Sequence, residues 1–186
     1  MAGTVERPKR GFVIWLTGLP AAGKTTLARV LAKRLREMGW RVETLDGDEV
    51  RRWLSPEAGF SREDRERHLK RVAHVSRLLA RNGVAVVASF VSPYRRVRGE
   101  VREIVEAEGL RFVEVYVRCS VETAMRRDPK GLYRRALRGE IQNMTGVQDA
   151  YEEPENPEVV VDSERMSPEE EAEEVIAALR RLGVLA

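Results

Sequence analysis

Apolar residues along this chain follow two rhythms that take turns. Phe12 to Thr17 is a short, nearly unbroken apolar run closed by Gly18. From Thr25 to Met38 the spacing becomes helical, with Leu27, Val30, Leu31 and Leu35 on one face and Gly39 as the stop. Arg41 to Leu45 predicts a second strand. Ser61 to Asn82 carries the stripe Leu69, Val72, Ala73, Leu79 and Ala80, and Ser61 with Asp64 resembles a weak capping box. Val84 to Ser89 is continuously apolar as far as Ala88, as a strand buried on both faces should be. An amphipathic helix over Tyr94 to Glu108, a strand over Arg111 to Val117 and a short helix over Ser120 to Arg127 follow. Asp128 to Pro157 breaks the pattern, being rich in Gly, Pro and charge. Val159 to Val161 is a last short strand. Ser167-Pro168 then caps a helix through Leu182, with acids at its start and Arg180 and Arg181 at its end, the order its dipole favours.

Strands alternating with helices predict an α/β fold: a parallel sheet of about five strands with helices on both faces. Ligands of such sheets sit at the carboxyl ends of the strands. The segments following each strand are therefore where chemistry is expected.

The 186 residues, 42% hydrophobic, bury one core, so a single domain over 1–186 is expected, with 1–10 disordered. A net charge of +3 against a sequence pI near 9.2 means that acids balance most of the bases. One cysteine, Cys119, leaves no intrachain disulfide or multi-cysteine zinc site. His68 and His74, six apart, point to different sides of a helix and make a poor metal pair. No apolar run approaches the ~20 residues of a membrane span, and the polar, basic start lacks the apolar stretch of a secretory signal. A cytoplasmic protein with no membrane partner is expected.

Gly18-Leu-Pro-Ala-Ala-Gly23-Lys24-Thr25 fits G-x-x-x-x-G-K-[ST], and it stands between a strand and an amphipathic helix as that pattern requires. The sheet is thus read as a P-loop NTPase fold. Gly18, Ala21, Ala22, Gly23, Lys24, Thr25 and Thr26 are the candidate nucleotide contacts, with backbone N–H groups turned toward phosphate and Lys24 reaching the β- and γ-phosphates. The Thr25 hydroxyl is the candidate Mg²⁺ partner. No N-K-x-D base-reading motif points to a GTPase, and the length is short for a motor. A small kinase is favoured, with 128–157 as a lid that keeps water from the γ-phosphoryl group.

Asp46-Gly47-Asp48 follows the second strand. A carboxylate there serves a metal-bound water or takes a proton from an attacking hydroxyl. Which Asp does which is open, and a helix N-cap is the plainer alternative, more so for Asp48 than for Asp46. Arg51 lies one turn after Asp48. Arg65 and His68 extend the face of Val72, and guanidinium groups so placed suit phosphate or sulfate. Phe60 is a candidate for stacking on a base. A basic helix with Arg95, Arg96, Arg98 and Arg102 is interleaved with Glu100 and Glu103, which reads as a solvated, ion-paired face rather than a nucleic-acid surface.

Leu45-Asp-Gly-Asp-Glu-Val-Arg51, Gly59-Phe-Ser61 with Asp64-Arg65, Ser89-Phe-Val-Ser-Pro-Tyr-Arg95, Arg127-Asp-Pro-Lys-Gly-Leu-Tyr133, Gly139-Glu-Ile, Thr145-Gly-Val147, Tyr151-Glu-Glu-Pro and Asn156-Pro-Glu158 occur in an order and spacing that resembles the adenylylsulfate kinase family over nearly the whole chain. The resemblance implies transfer of the ATP γ-phosphoryl group, with Mg²⁺, to the 3′-hydroxyl of adenosine 5′-phosphosulfate. It implies acceptor contacts at Arg51, Phe60, Arg65, Val91, Lys130, Thr145 and Gly146, with Phe60 on the adenine. Asp46 and Asp48 would attend Mg²⁺ and the hydroxyl, and the protein would be a homodimer. Ser92 matches a serine that some members phosphorylate. It is carried as a catalytic candidate, with a pocket-lining hydroxyl as the preferred role. The chain departs from the family at His68, commonly Asn, and at Pro20-Ala21-Ala22, often Ser-Gly-Ala. The rivals are a kinase of the same fold with another acceptor and a non-catalytic nucleotide-binding module.

Overall fold

The computed structural model describes residues 9–186. Five strands, β1 (Phe12–Thr17), β2 (Arg41–Asp46), β3 (Val84–Ser89), β4 (Arg111–Arg118) and β5 (Val159–Asp162), form one sheet in the order β2-β3-β1-β4-β5, every pairing parallel. Seven helices connect or cover them: α1 (Lys24–Glu37), α2 (Gly47–Leu54), α3 (Arg62–Arg81), α4 (Arg95–Glu106), α5 (Val121–Arg127), α6 (Leu132–Leu137) and α7 (Pro168–Arg181). Among the described residues no helix is long and apolar enough to cross a membrane.

The two apolar layers follow from strand alternation. Phe12, Ile14 and Leu16 of the central strand join Leu27, Leu31 and Leu35 of α1 and Val175 and Leu179 of α7. Val13 and Trp15, pointing the other way, join Val72 and Ala73 of α3 and Val97 and Val101 of α4. All six residues of β1 are buried, which is why its sequence does not alternate, whereas edge strand β2 is half exposed.

The predicted elements stand with ends moved by a residue or so, and three results differ from expectation. α6 lies inside the stretch read as aperiodic. Its six residues are too few to show a period. It starts at Gly131 in the left-handed region, while Asp128, outside the helix, accepts from the amides of Tyr133 and Arg134 at 3.1 Å each. Of the Ser61/Asp64 box only half forms: Ser61 Oγ accepts from the Asp64 amide at 3.1 Å, while Asp64 Oδ2 accepts from the Gly59 amide at 3.0 Å. Of the terminal stretch expected to be disordered, residues 1–8 lie outside the described residues. Lys9 sits 3.9 Å over the Trp40 ring, and Arg10 donates to Glu108 O at 2.6 Å.

The basic helix α4 carries the expected ion pairs, but Arg98 departs from its reading as part of a solvated face. Arg98 is buried, 2.9 Å from Glu114 of β4, and donates to the carbonyls of Ser92 and Glu152, both at 2.6 Å. Arg102 reaches Glu158 at 2.8 Å, Arg95 reaches Glu155 at 3.1 Å, and Arg96 pairs with Glu66 and Glu100. Burial pushes the Glu114 carboxyl above its usual range, and the two arginines pull it back. Arg98→Leu should therefore cost about 3–5 kcal/mol in urea unfolding, because buried Glu114 loses its near partner and keeps only Arg102 at 3.9 Å. Adding Glu114→Leu should recover most of that loss.

Candidate active site

Because all strands are parallel, their carboxyl ends share one edge, and the segments after β1, β2 and β3 meet there. Gly18 leaves β1 where a Cβ would lie 2.5 Å from Val117 O, so only glycine fits. The loop turns through Ala21 and Gly23, both at positive φ (65° and 98°), and α1 starts at Lys24. Buried Lys24 donates from Nζ to the carbonyls of Gly18 (2.9 Å) and Leu19 (2.7 Å). Burial lowers its pKa to about 7, with Asp46 pulling the other way, so anionic phosphate beside it would restore a full charge. Ala22 is buried in the loop and Thr26 faces outward.

Thr25 Oγ1 donates to Asp46 Oδ2 at 2.7 Å, tying the start of α1 to the end of β2. Asp46 Oδ1 accepts from the Asp48 amide at 3.2 Å. The N-cap therefore falls on Asp46, which the sequence made the less expected cap, and Asp48 is free of that duty. Asp48 Oδ2 instead accepts from Lys130, on the turn before α6. The same segment reaches the phosphate loop, where Tyr133 donates to Pro20 O at 2.9 Å and Gly146 packs against Leu19 and Tyr133.

Beyond the acids stand the candidate acceptor contacts. The Arg51 guanidinium lies 4.6 Å over the Phe60 ring and donates to Gly59 O, and Phe60 itself is 60% exposed. Arg65 Nη1 donates to Thr145 Oγ1 at 2.9 Å and Asp149 Oδ2 at 3.2 Å, and Nη2 donates to Asn143 O. His68 is buried with its ring centroid 5.8 Å from that of Phe90. Its Nδ1 lies 2.9 Å from Ser55 Oγ, which also accepts from Arg71 at 3.1 Å, while Nε2 is buried and unpartnered among the described residues. Burial first, then Arg51 and Arg71, lowers the imidazole pKa to about 4, so the ring is neutral at pH 7.

Val91 contributes its carbonyl, which accepts from Thr17 Oγ1 at 2.8 Å. Ser92, the catalytic candidate for which a pocket-lining hydroxyl is the preferred role, is turned toward the interior. It is 2% exposed, at φ 41°, accepts from Trp15 Nε1 at 3.0 Å and donates to Phe90 O at 3.2 Å. The hydroxyl serves the interior and turns the chain after β3.

Three residues beyond the sequence candidates shape the site. Phe90 stacks on Trp15 at 5.3 Å and packs under His68. Tyr151 shares a 2.8 Å hydrogen bond with Thr17. Asp149 binds Arg65 and accepts from Tyr94 OH. Phe90 was within reach of the sequence, since it directly follows a buried strand. Asp149 was not, because its partners lie 84 and 55 positions away.

Residues 10–162 match the adenylylsulphate kinase family. A probable adenylyl-sulfate kinase of Aeropyrum pernix is 59% identical over 156 residues, 84% of this chain and 85% of that protein. The adenylyl-sulfate kinase of Myxococcus xanthus is 49% identical over 175 residues, 94% of each. Among solved structures, the Mycobacterium tuberculosis APS kinase CysC in complex with AMPPNP and APS aligns with a TM-score of 0.90 at 38% identity, over 93% of this chain and 99% of that one. With a phosphate loop, an acidic pair and an arginine cluster meeting at one sheet edge, the chain belongs to the adenylylsulphate kinase family.

Proposed function

We propose that this chain transfers the γ-phosphoryl group of ATP to the 3′-hydroxyl of adenosine 5′-phosphosulfate, giving ADP and 3′-phosphoadenylylsulfate. The observation that carries this reading is a convergence. The Lys24 and Thr25 loop, the Asp46/Asp48 turn and the Arg51–Phe60–Arg65–His68 group face one sheet edge, and one segment touches all three. A related structure holds AMPPNP and APS together, as a transfer between two nucleotides requires.

In the reaction the 3′ oxygen bonds to the γ-phosphorus as the bond to the β-bridging oxygen breaks, and the hydroxyl proton leaves to a carboxylate. Lys24 stabilises charge on the migrating group. Asp48, free of capping, is the group assigned to receive the proton, and Asp46 holds Thr25 on the metal side. The two hard oxygens of Thr25 and Asp46 fit Mg²⁺, which takes few protein ligands and fills its shell with water and phosphate oxygens. When bound there, the metal would supply neutralisation of phosphate charge. Arg51 and Arg65 orient the phosphosulfate, Phe60 offers a face to the adenine, and neutral His68 offers a hydrogen-bonding nitrogen. Segment 128–157 acts as a lid through Lys130, Tyr133 and Thr145. The family resemblance extends the reading to a homodimer in the cytoplasm, and sedimentation velocity tests the dimer.

The purified protein, given Mg-ATP and adenylylsulfate, should yield a new anion-exchange peak at 3′-phosphoadenylylsulfate. Asp46→Asn should lower kcat by roughly 10²-fold or more and raise the Mg²⁺ requirement, while Asp48→Asn should lower kcat with the Mg²⁺ dependence unchanged. ADP formed only with a different acceptor would overturn the acceptor assignment.

His68 sets a pH dependence. Its folded pKa, about 4, lies below the ordinary 6.5, so its stabilising share is complete above pH 6.5 and is lost as pH falls through 4. His68→Asn should remove on the order of 2–3 kcal/mol from the acid-induced loss of stability, read as a flatter Tm profile between pH 6.5 and 4.

A further inference from the structure

Arg65 carries a contact that phosphoryl transfer does not itself call for. Its side chain, 13% exposed, leaves the first turn of α3 and meets three acceptors from a single short segment: Asn143 O, Thr145 Oγ1 and Asp149 Oδ2. Asp149 supplies the only carboxylate paired with Arg65 among the described residues. Asp149 is itself held. Its Oδ2 also accepts from Tyr94 OH, its amide donates to Met144 O at 3.1 Å, and its carbonyl accepts from the Gly146 amide at 2.8 Å. Tyr94 is buried at the start of α4, and Arg62 lies 4.2 Å over its ring. The carboxylate thus joins α3, the loop after β3 and the 143–149 turn at one oxygen.

A guanidinium has five N–H donors, and these contacts take three of them. Two are left, enough for one oxyanion. An arginine side chain free to rotate loses about 2 kcal/mol of rotamer entropy on being fixed, and here that ordering precedes ligand binding. Asp149 shares Nη1 with Thr145 and is anchored by Tyr94, so it cannot follow the guanidinium if the latter turns away.

We propose that Asp149 is a positioning residue for acceptor binding, fixing Arg65 toward the acceptor's anionic tail and coupling that contact to the 143–149 segment. The proposal rests on the reading of Arg65 as an acceptor contact. Asp149→Asn keeps the shape of the side chain and an oxygen for Tyr94 but removes the charge. In the full-length protein it should raise the KM for adenylylsulfate roughly tenfold and leave the KM for ATP and the Tm unchanged. Asp149→Glu should regain part of the loss. Tyr94→Phe should move the acceptor KM in the same direction by less, and should add little in the Asp149→Asn background. It also carries the test if Asp149→Asn does not fold.

An unchanged acceptor KM would overturn the proposal. So would a lowered one, since Asp149 would then compete with the acceptor for Arg65, and so would a parallel rise in both KM values with a fall in Tm. Amide hydrogen exchange across 143–149 gives an arm independent of the acceptor. Asp149→Asn should speed it, and unchanged exchange overturns the coupling. If the wild-type protein makes no 3′-phosphoadenylylsulfate, the acceptor assignment has failed, and the exchange arm still decides the role of Asp149.

Discussion

The rest of the structure depends on the parallel register of β1 with β3 and β4. A parallel pair cannot be closed by a hairpin, so each strand must be followed by a crossover that returns to the other end of the sheet. Leu16 is paired with Ser89, Thr17 with Tyr116 and Asp46 with Ser89, so these strands all end at one level. The phosphate loop, the Asp46 turn and the Phe90–Tyr94 loop are thereby delivered to one edge without any local sequence aiming them there. The 2.7 Å contact from Thr25 to Asp46 then ties the start of α1, which follows β1, to the end of β2, two strands away in the sheet.

Upon that frame the site is organised mainly by charge. Lys24 is held by carbonyls rather than by a carboxylate, which leaves it available to an anion, and its burial lowers its pKa. Around it, Lys130 sits on Asp48 and Arg65 on Asp149. Both pairs run from the sheet and its covering helices to the 128–157 segment. Lys130 and Asp48 are more than half exposed, so their pair is worth little as stability. The Arg65–Asp149 pair is better shielded and shares three partners. Contacts so distributed hold the segment more firmly at its Asp149 end than at its Lys130 end.

Most of this was legible in the sequence because it rests on local spacing. The loop from Gly18 to Thr25 is contiguous, the helical stripes are periodic, β1 is an apolar run between two glycines and β3 one that follows Gly83. What escaped was non-local or too short. α6 has six residues and takes its cap from Asp128, three places before its N-cap residue, where no helix signal is sought. The N-cap on Asp46 rather than Asp48 depends on where α2 begins, and Gly47 at that point gives no propensity cue. Arg98 looked like its neighbours in α4, yet only the meeting of α4 with Glu114 of β4 decides that it is buried. Composition records how many arginines there are, whereas topology decides which of them meet a carboxylate out of water.

Ser92 shows how a hydroxyl beside the candidate site can be tied to the core beneath it. The Ser89 to Arg95 segment lies beside the candidate site, and a hydroxyl there reads as chemistry. Trp15, however, places an indole N–H in the wholly buried layer beneath it, and that donor needs an acceptor. Ser92 supplies one by adopting a positive φ that its backbone would otherwise avoid. The same turn brings the carbonyls of Val91 and Ser92 within reach of Thr17 Oγ1, at 2.8 and 3.4 Å, and the Ser92 carbonyl within 2.6 Å of buried Arg98. The serine is thus fixed by the core below the site. Its strain is offset by the contacts it gives to three buried polar groups, Trp15, Thr17 and Arg98, and the loop it shapes sets where Phe90 and Val91 stand.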